Sequence, residues 1–176
     1  MQLELRSAKT EDLQAVEGIY LSFLTQEETG PRWTVWQKGV YPTGETARQA
    51  LEAGELYVLT DGGTVVGSVI LNRKEPEEYA SVAWTVPAEP GEALVIHTLC
   101  MDPERKGLGL GKAMVSHIIH EARAQGCRAI RLDTGSQNAP AMGLYKKMGF
   151  SLAGEGTILL DGQIPHKGHV FMEYGL

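Results

Sequence analysis

Hydrophobic positions change period along this chain and sort it into strands and helices. Leu3-Glu4-Leu5-Arg6 alternates with period two, the signature of a half-buried strand. Leu13, Val16, Ile19, Tyr20 and Phe23 then recur at helical spacing, and Thr10 followed by Glu11-Asp12 predicts a capped helix through about Leu24. An irregular, aromatic-rich passage from Thr25 to Thr43 comes next, broken by Gly30-Pro31, Gly39 and Pro42. Thr43 to Ala53 reads as a second helix, stopped by Gly54. Glu55 to Thr60 and Val65 to Asn72 read as strands joined by a hairpin turn at Asp61-Gly62-Gly63. Arg73 to Gly91 reads as loop, with a short strand or helical turn around 80–86. Beyond it the pattern predicts strand 93–101, helix 109–125, strand 128–134, helix 138–148 and strands near 150–160 and 168–174, the last two flanking a turn at Asp161-Gly162. The order β-α-α-β-β-β-α-β-α-β-β predicts a mixed α/β sheet flanked by helices, in a single domain spanning 1–176.

Composition narrows the class of function. The chain has 176 residues, 43% hydrophobic and 22% charged, enough for one substantial core and too apolar for disorder. A formal net charge of −6 argues against a nucleic-acid partner, because phosphate backbones demand a basic face. It suits a cationic or amine substrate, although such a charge also serves solubility alone. Cys100 and Cys127 are too few for a disulfide framework and sit at apolar strand positions, so reduced core thiols are expected. Met1-Gln2-Leu3-Glu4-Leu5-Arg6 holds no apolar signal region and no stretch approaches a membrane span, which points to the cytoplasm and away from membranes.

The chemistry concentrates in Val95-Ile96-His97-Thr98-Leu99-Cys100-Met101-Asp102-Pro103-Glu104-Arg105-Lys106-Gly107-Leu108-Gly109-Leu110-Gly111-Lys112. An apolar strand stops at Asp-Pro and passes through a basic, glycine-rich turn into a helix. The first amides of a helix have no intrahelical partner and carry the positive end of its dipole, so such a turn is an anion site. Gly107, Gly109 and Gly111 let a phosphate approach the backbone, and Lys106 and Lys112 add charge at either end. A P-loop is excluded: Gly111-Lys112 is followed by Ala113, and Lys106 stands where the first glycine should be. A dinucleotide fingerprint is excluded too, because Lys112 takes the place of its last glycine and the motif lies well past mid-chain.

Lys106-Gly107-Leu108-Gly109-Leu110-Gly111 resembles the acyl-CoA motif [Q/R]-x-x-G-x-[G/A] of the GCN5-related N-acetyltransferases (GNAT), with lysine in the Gln/Arg position. Leu99-Cys100-Met101 is similar to the Leu-x-Val segment at the end of the family's fourth strand. Asn138-Ala139-Pro140-Ala141-Met142-Gly143-Leu144-Tyr145-Lys146-Lys147-Met148-Gly149-Phe150 resembles its N-x-x-A-x-x-L-Y-x-x-x-G-F signature. The resemblance is strong from about Leu94 to Phe150 and architectural elsewhere. It implies the GNAT fold, with a bulged fourth strand splayed from the fifth, and acetyl-CoA as cosubstrate.

The resemblance also implies roles. Main-chain groups of Leu99, Cys100 and Met101 would hold the pantetheine arm, with a backbone N–H at this site, that of Met101, as oxyanion donor, worth about 3 kcal/mol. The turn from Lys106 through Gly107, Leu108, Gly109, Leu110 and Gly111 to Lys112 would seat the pyrophosphate. Asn138 and Ala141 would contact the cofactor arm, Asn138 serving equally as a helix cap. Tyr145 matches the tyrosine that protonates the departing thiolate, against the alternative of packing on an apolar helix face. His97, similarly placed to a histidine of arylalkylamine N-acetyltransferases, is the candidate base, directly or through a water, and a buried strand histidine is its alternative. Trp33, Trp36, Tyr41 and Trp84 are candidate acceptor-binding aromatics or fasteners of an irregular loop. The expected function is acetyl transfer to a primary amine by direct attack in a ternary complex. A small amine or amino acid derivative is the first acceptor class; a protein N-terminus or lysine is the second, and a non-catalytic CoA-binding module is the competing class. No metal is expected, and a homodimer is possible.

Overall fold

The computed structural model describes residues 1–160 and 164–176. Its strands are β1 (Leu3–Ser7), β2 (Leu56–Asp61), β3 (Thr64–Asn72), β4 (Ala93–Met101), β5 (Ala129–Gly135), β6 (Ser151–Leu160) and β7 (Ile164–Gly175). The helices are α1 (Leu13–Thr29), α2 (Gly44–Glu52), α3 (Leu110–Ala124) and α4 (Ala139–Lys147). The strands form a mixed seven-stranded sheet in the order β1-β2-β3-β4-β5-β7-β6, in which β4 and β5 are parallel. Element types and order follow the hydrophobic pattern. The expected Asp161-Gly162 turn lies outside the described residues.

Two compact units divide the chain. The first takes Met1–Arg32, Trp36–Leu71 and His97–Ile118. Within it β1 runs antiparallel to β2, and β2 to β3. The β2–β3 turn is Gly62-Gly63, both at positive φ (56° and 89°), the conformation a two-residue hairpin needs to match strand twist. Val16, Ile19 and Tyr20 of α1, Ala47 and Ala50 of α2, and Leu56, Val58, Ile70 and Cys100 of the strands form one buried cluster. α1 continues past the expected Leu24 to Thr29, because Thr25 to Thr29 contains no breaker. It ends where Pro31 disfavours helix at Gly30, which adopts extended dihedrals of −129° and −161°.

Thr10 does not cap this helix as the pattern suggests. Thr10–Asp12 is a 3-10 turn with no side-chain cap, and the Asp12 carboxylate supplies the local order instead. It accepts the Lys9 amide at 2.7 Å and two Arg6 N–H groups at 2.7 and 3.0 Å. The bond from Arg6 holds the buried Asp12 carboxyl below its ordinary range. A depressed folded-state value contributes stability above the unfolded carboxylate pKa of about 3.9, and that stability is lost as pH falls through the folded value. Asp12→Asn is expected to remove about 2 kcal/mol at pH 7, a fall of roughly 4–8 °C in melting temperature, and to cost little once Asp12 is protonated. Thermal unfolding of both proteins across pH checks this.

The second unit takes Trp33–Val35, Asn72–Ile96 and Ile119–Leu176. β7 pairs antiparallel with both β5 and β6, and Ala93–Val95 of β4 pair in parallel with Ala129–Arg131 of β5. Tyr79, Val95, Ile158 and Phe171 form its cluster, with Val82 and Trp84 packed against it. The helical turn expected around 80–86 lies earlier, as a 3-10 turn at Glu77–Ser81. Buried Glu173 fastens the chain just beyond that turn, its carboxylate accepting the amides of Thr85 and Val86, each at 2.9 Å. Along α3, whose residues up to Ile118 belong to the first unit, Leu110, Met114, Val115, Ile118, Ile119 and Ala122 are buried, a helical stripe that fixes the helix and therefore the turn before it.

Candidate active site

The first unit contains the end of β4, the glycine turn and the start of α3. Thr98 in β4 has φ +46°, the one positive φ on a non-glycine among the described residues. A β-branched residue is strained there and persists only when its surroundings hold it. The holding group is visible: the Tyr41 hydroxyl is hydrogen-bonded to Thr98 Oγ1, and both residues are buried. Tyr41→Phe would leave Thr98 Oγ1 without this partner and is expected to cost about 1–2 kcal/mol, read as a lower melting temperature.

Around this irregularity His97, Leu99 and Met101 are half-buried, whereas Thr98 and Cys100 are buried. The Cys100 side chain belongs to the α1–α2 cluster, and burial pushes its thiol above the ordinary range, which makes it a core group. A Cβ on Gly67 would strike the Met101 side chain, so that side chain lies over β3. For Cys100 the main chain is what remains for a ligand.

The turn is built by Asp102. Its amide donates to Val66 O at 2.9 Å, and its carboxylate accepts the Glu104 amide at 3.0 Å, opening the short turn Pro103–Arg105. Glu104 is tied in turn to Gln26 of α1 at 2.9 Å. Gly107 and Gly109 come next, at φ +84° and +75°, and a Cβ at either would meet nothing within 4 Å. Left-handed backbone with open space around it means that glycine serves the conformation here rather than packing, and leaves the turn's amides accessible. Among the described residues no amide from Gly107 to Lys112 donates a backbone hydrogen bond; the first helical bond is Ala113 N–H to Gly109 O at 3.1 Å. Lys106, Leu108 and Lys112 are exposed beside these amides, whereas the Leu110 side chain is core. The donor set fits a pyrophosphate.

The second unit contains α4. Asn138 caps it, its Oδ1 accepting the Ala141 amide at 3.2 Å, with Pro140 in the first turn. Tyr145 is buried, its ring 5.4 Å from that of Phe150. Burial, then the Asp133 charge, push its phenol well above the ordinary range, so it holds its proton at any physiological pH.

Three of the four aromatics named for an acceptor, Trp36, Tyr41 and Trp84, are packed against other rings. Trp36 stacks edge-on between Phe23 (5.6 Å) and Tyr41 (6.3 Å) in the first unit. Trp84, in the second, packs on Tyr79 at 5.2 Å, donates its indole N–H to Tyr79 O at 3.0 Å and carries the Arg131 guanidinium 4.5 Å from its ring centre. Trp33, at 36% exposed, is the most open of the four.

Sequence reasoning missed a polar chain in the second unit. Tyr79 donates to Asp133 Oδ1 at 2.6 Å, and His169 Nε2 lies 3.2 Å from Asp133 Oδ2. His169 Nδ1 lies 3.1 Å from His166 Nδ1. Histidines three apart in a strand should face opposite ways. Gly168, at φ +79°, adds a residue to β7 opposite β6 between the Gly156–His169 and Ile158–His166 pairs and brings the rings together. A glycine between two histidines was the available signal. Among the described residues no group of three or more His, Cys, Asp or Glu is arranged to hold a metal ion, and no helix is long and apolar enough to cross a membrane.

Comparison with known proteins places these features in context. Residues 19–150 match the family model described as "Acetyltransferase (GNAT) family". The chain is 27% identical over 158 residues to the L-methionine sulfoximine/L-methionine sulfone acetyltransferase of Pseudomonas paraeruginosa, covering 88% of this chain and 84% of the relative. It is 28% identical over 174 residues to the streptothricin acetyltransferase of Streptomyces lavendulae, covering 90% and 87%. The fold is similar to that of the yncA protein of Salmonella typhimurium, solved with its cofactor acetyl-CoA, at a TM-score of 0.68 and 18% identity, covering 100% of this chain and 95% of that one.

Proposed function

The chain belongs to the acetyltransferase (GNAT) family, and we propose that it moves the acetyl group of acetyl-CoA onto the primary amine of a small molecule, an amino acid derivative first, by direct attack in a ternary complex. The observation that carries this is the run of amides from Gly107 to Lys112 at the start of α3, none of which donates a backbone hydrogen bond among the described residues, a donor set suited to a phosphate. Acetyl-CoA supplies an activated acyl group and a thiolate leaving group.

The chain's own residues supply the rest. The Lys106–Lys112 turn holds the pyrophosphate, with lysines at both ends neutralising its charge. Main-chain groups of Leu99, Cys100 and Met101 orient the pantetheine arm, and the Met101 N–H donates to the carbonyl oxygen as negative charge develops there. Asn138 and Ala141 set the N-terminus of α4, and Tyr145, kept protonated, gives its proton to the departing sulfur. His97, half-buried in the strand that carries Leu99, accepts a proton from the amine. Both reported relatives are named for small-molecule acceptors, and the net charge of −6 favours a cationic one. Trp33 is the aromatic best exposed to meet it.

Initial rates measured against both substrates test the order of events. Direct attack predicts intersecting double-reciprocal lines. Parallel lines, or acetyl-enzyme trapped without acceptor, would contradict it.

A further inference from the structure

Peptide groups alternate in direction along a regular strand, so one residue in the left-handed region re-aims the main-chain donors and acceptors that follow it. Thr98 is such a residue, at φ +46°, immediately before Leu99, Cys100 and Met101. Strand irregularities of this kind normally place glycine at the left-handed position. A threonine there is strained by its branched Cβ and must be held by its surroundings. Beyond it the strand is pinned at two points. The Cys100 side chain sits in the α1–α2 cluster, and the Asp102 amide donates to Val66 O at 2.9 Å. Between these pins the peptide groups of Leu99 to Met101 take their direction from Thr98.

Most side-chain hydrogen bonds go to main chain or water, and a threonine can often find a main-chain partner close by. Thr98 Oγ1 meets the hydroxyl of Tyr41, 57 residues away, and both residues are buried. Tyr41 is a fixed platform. Its amide donates to Gln37 O at 2.9 Å, its carbonyl accepts the Gln37 amide at 3.0 Å, and Trp36 packs edge-on 6.3 Å from its ring. The net worth of one buried hydrogen bond is of the same order as the strain of one left-handed branched residue, so deleting the hydroxyl can tip the backbone.

We propose that Tyr41 is a positioning residue: through Thr98 its hydroxyl sets the left-handed step in β4 that presents the main-chain groups of Leu99, Cys100 and Met101 to the pantetheine arm of acetyl-CoA. The inference rests on the arm-binding role proposed for that segment. Tyr41 touches neither substrate in this role and acts only through Thr98.

Tyr41→Phe tests it, by calorimetry with acetyl-CoA and with ADP, which carries a diphosphate without the arm, well below the melting temperature of the variant. Acetyl-CoA is expected to bind about tenfold more weakly and ADP within twofold of wild type. The three-bond HN–Hα coupling of Thr98, read on the free protein, should move from a left-handed to an extended value. Adding Thr98→Gly supplies a residue that takes positive φ without strain and removes the orphaned hydroxyl, so most of the acetyl-CoA affinity should return. A Tyr41 that only packs predicts no such recovery. An unchanged Thr98 coupling, equal weakening of both ligands, unchanged acetyl-CoA affinity or failure of the glycine to restore it would each overturn the proposal. Failure of the acyl-CoA reading is distinguishable: the wild type then binds neither ligand, which removes the arm that Tyr41 would serve whatever the coupling shows.

Discussion

Tyr145→Phe is expected to lower kcat by about 100- to 1,000-fold and to leave the KM for acetyl-CoA within about twofold. The split comes from where the hydroxyl acts: a proton given to the departing sulfur counts in the transition state and not in ground-state binding. The substitution keeps the ring, which packs 5.4 Å from Phe150, and deletes a hydroxyl that makes no hydrogen bond among the described residues. The melting temperature should therefore stay within about 2 °C, separating loss of chemistry from loss of fold. The pH profile adds a second check. Burial and the Asp133 charge raise this phenol, so its neutral form persists past the ordinary phenol range. The wild-type rate should show no alkaline limb from Tyr145 near pH 10, whereas an unshifted phenol would produce one. Unchanged kcat in the phenylalanine variant would return Tyr145 to a packing role.

Gly109→Val is expected to weaken CoA binding by about 100-fold, the loss of roughly two amide–phosphate contacts. Gly109 sits at φ +75°, where a β-branched residue is strained, so the variant must reshape the turn that aims the amides. Because a Cβ there meets nothing within 4 Å, the strain is confined to the turn's own backbone, and the effect is expected to fall on the ligand more than on the core. Titration calorimetry with CoA and with pantetheine distinguishes the cause: CoA affinity should collapse while pantetheine, which lacks the pyrophosphate, is little affected. CoA affinity within threefold of wild type would mean that the phosphates bind elsewhere.

Much of the fold was legible because its signals are local. Period two in Leu3–Arg6 and period 3.6 from Leu13 to Phe23 report burial directly. Gly62-Gly63 marks a hairpin because few other residues accept two consecutive positive φ values. The glycine turn before α3 was legible for the same reason, as a local conformational demand with a chemical use. What escaped depends on partners distant in sequence. The order at the start of α1 comes from Asp12 reaching back to Arg6, which Thr10 did not foretell. Trp84 was readable as an aromatic but not as the lid over Arg131 and the neighbour of Phe171, since those contacts arise from strand pairing. The Tyr79–Asp133–His169–His166 chain needed three facts together: the β5–β7 register, the extra residue at Gly168 and the fold of the loop before β4. Thr98 is the subtlest case, because nothing about a threonine in a strand announces a positive φ. The group seen to hold its side chain, the Tyr41 hydroxyl, is far away in sequence.

The central claim, that this chain acetylates a small amine, is tested most directly by acceptor-dependent release of CoA from acetyl-CoA. Thiol appearance should be followed over a panel containing methionine sulfoximine, other amino acid derivatives, simple primary amines, lysine and short peptides, with Tyr145→Phe as control. The account predicts that at least one small amine raises release far above the acceptor-free rate, that its product carries one acetyl group on nitrogen, and that the variant loses this rate. Release stimulated by peptides and by none of the small amines would contradict the acceptor class. Tight acetyl-CoA binding with no release above background across the panel would contradict the claim itself.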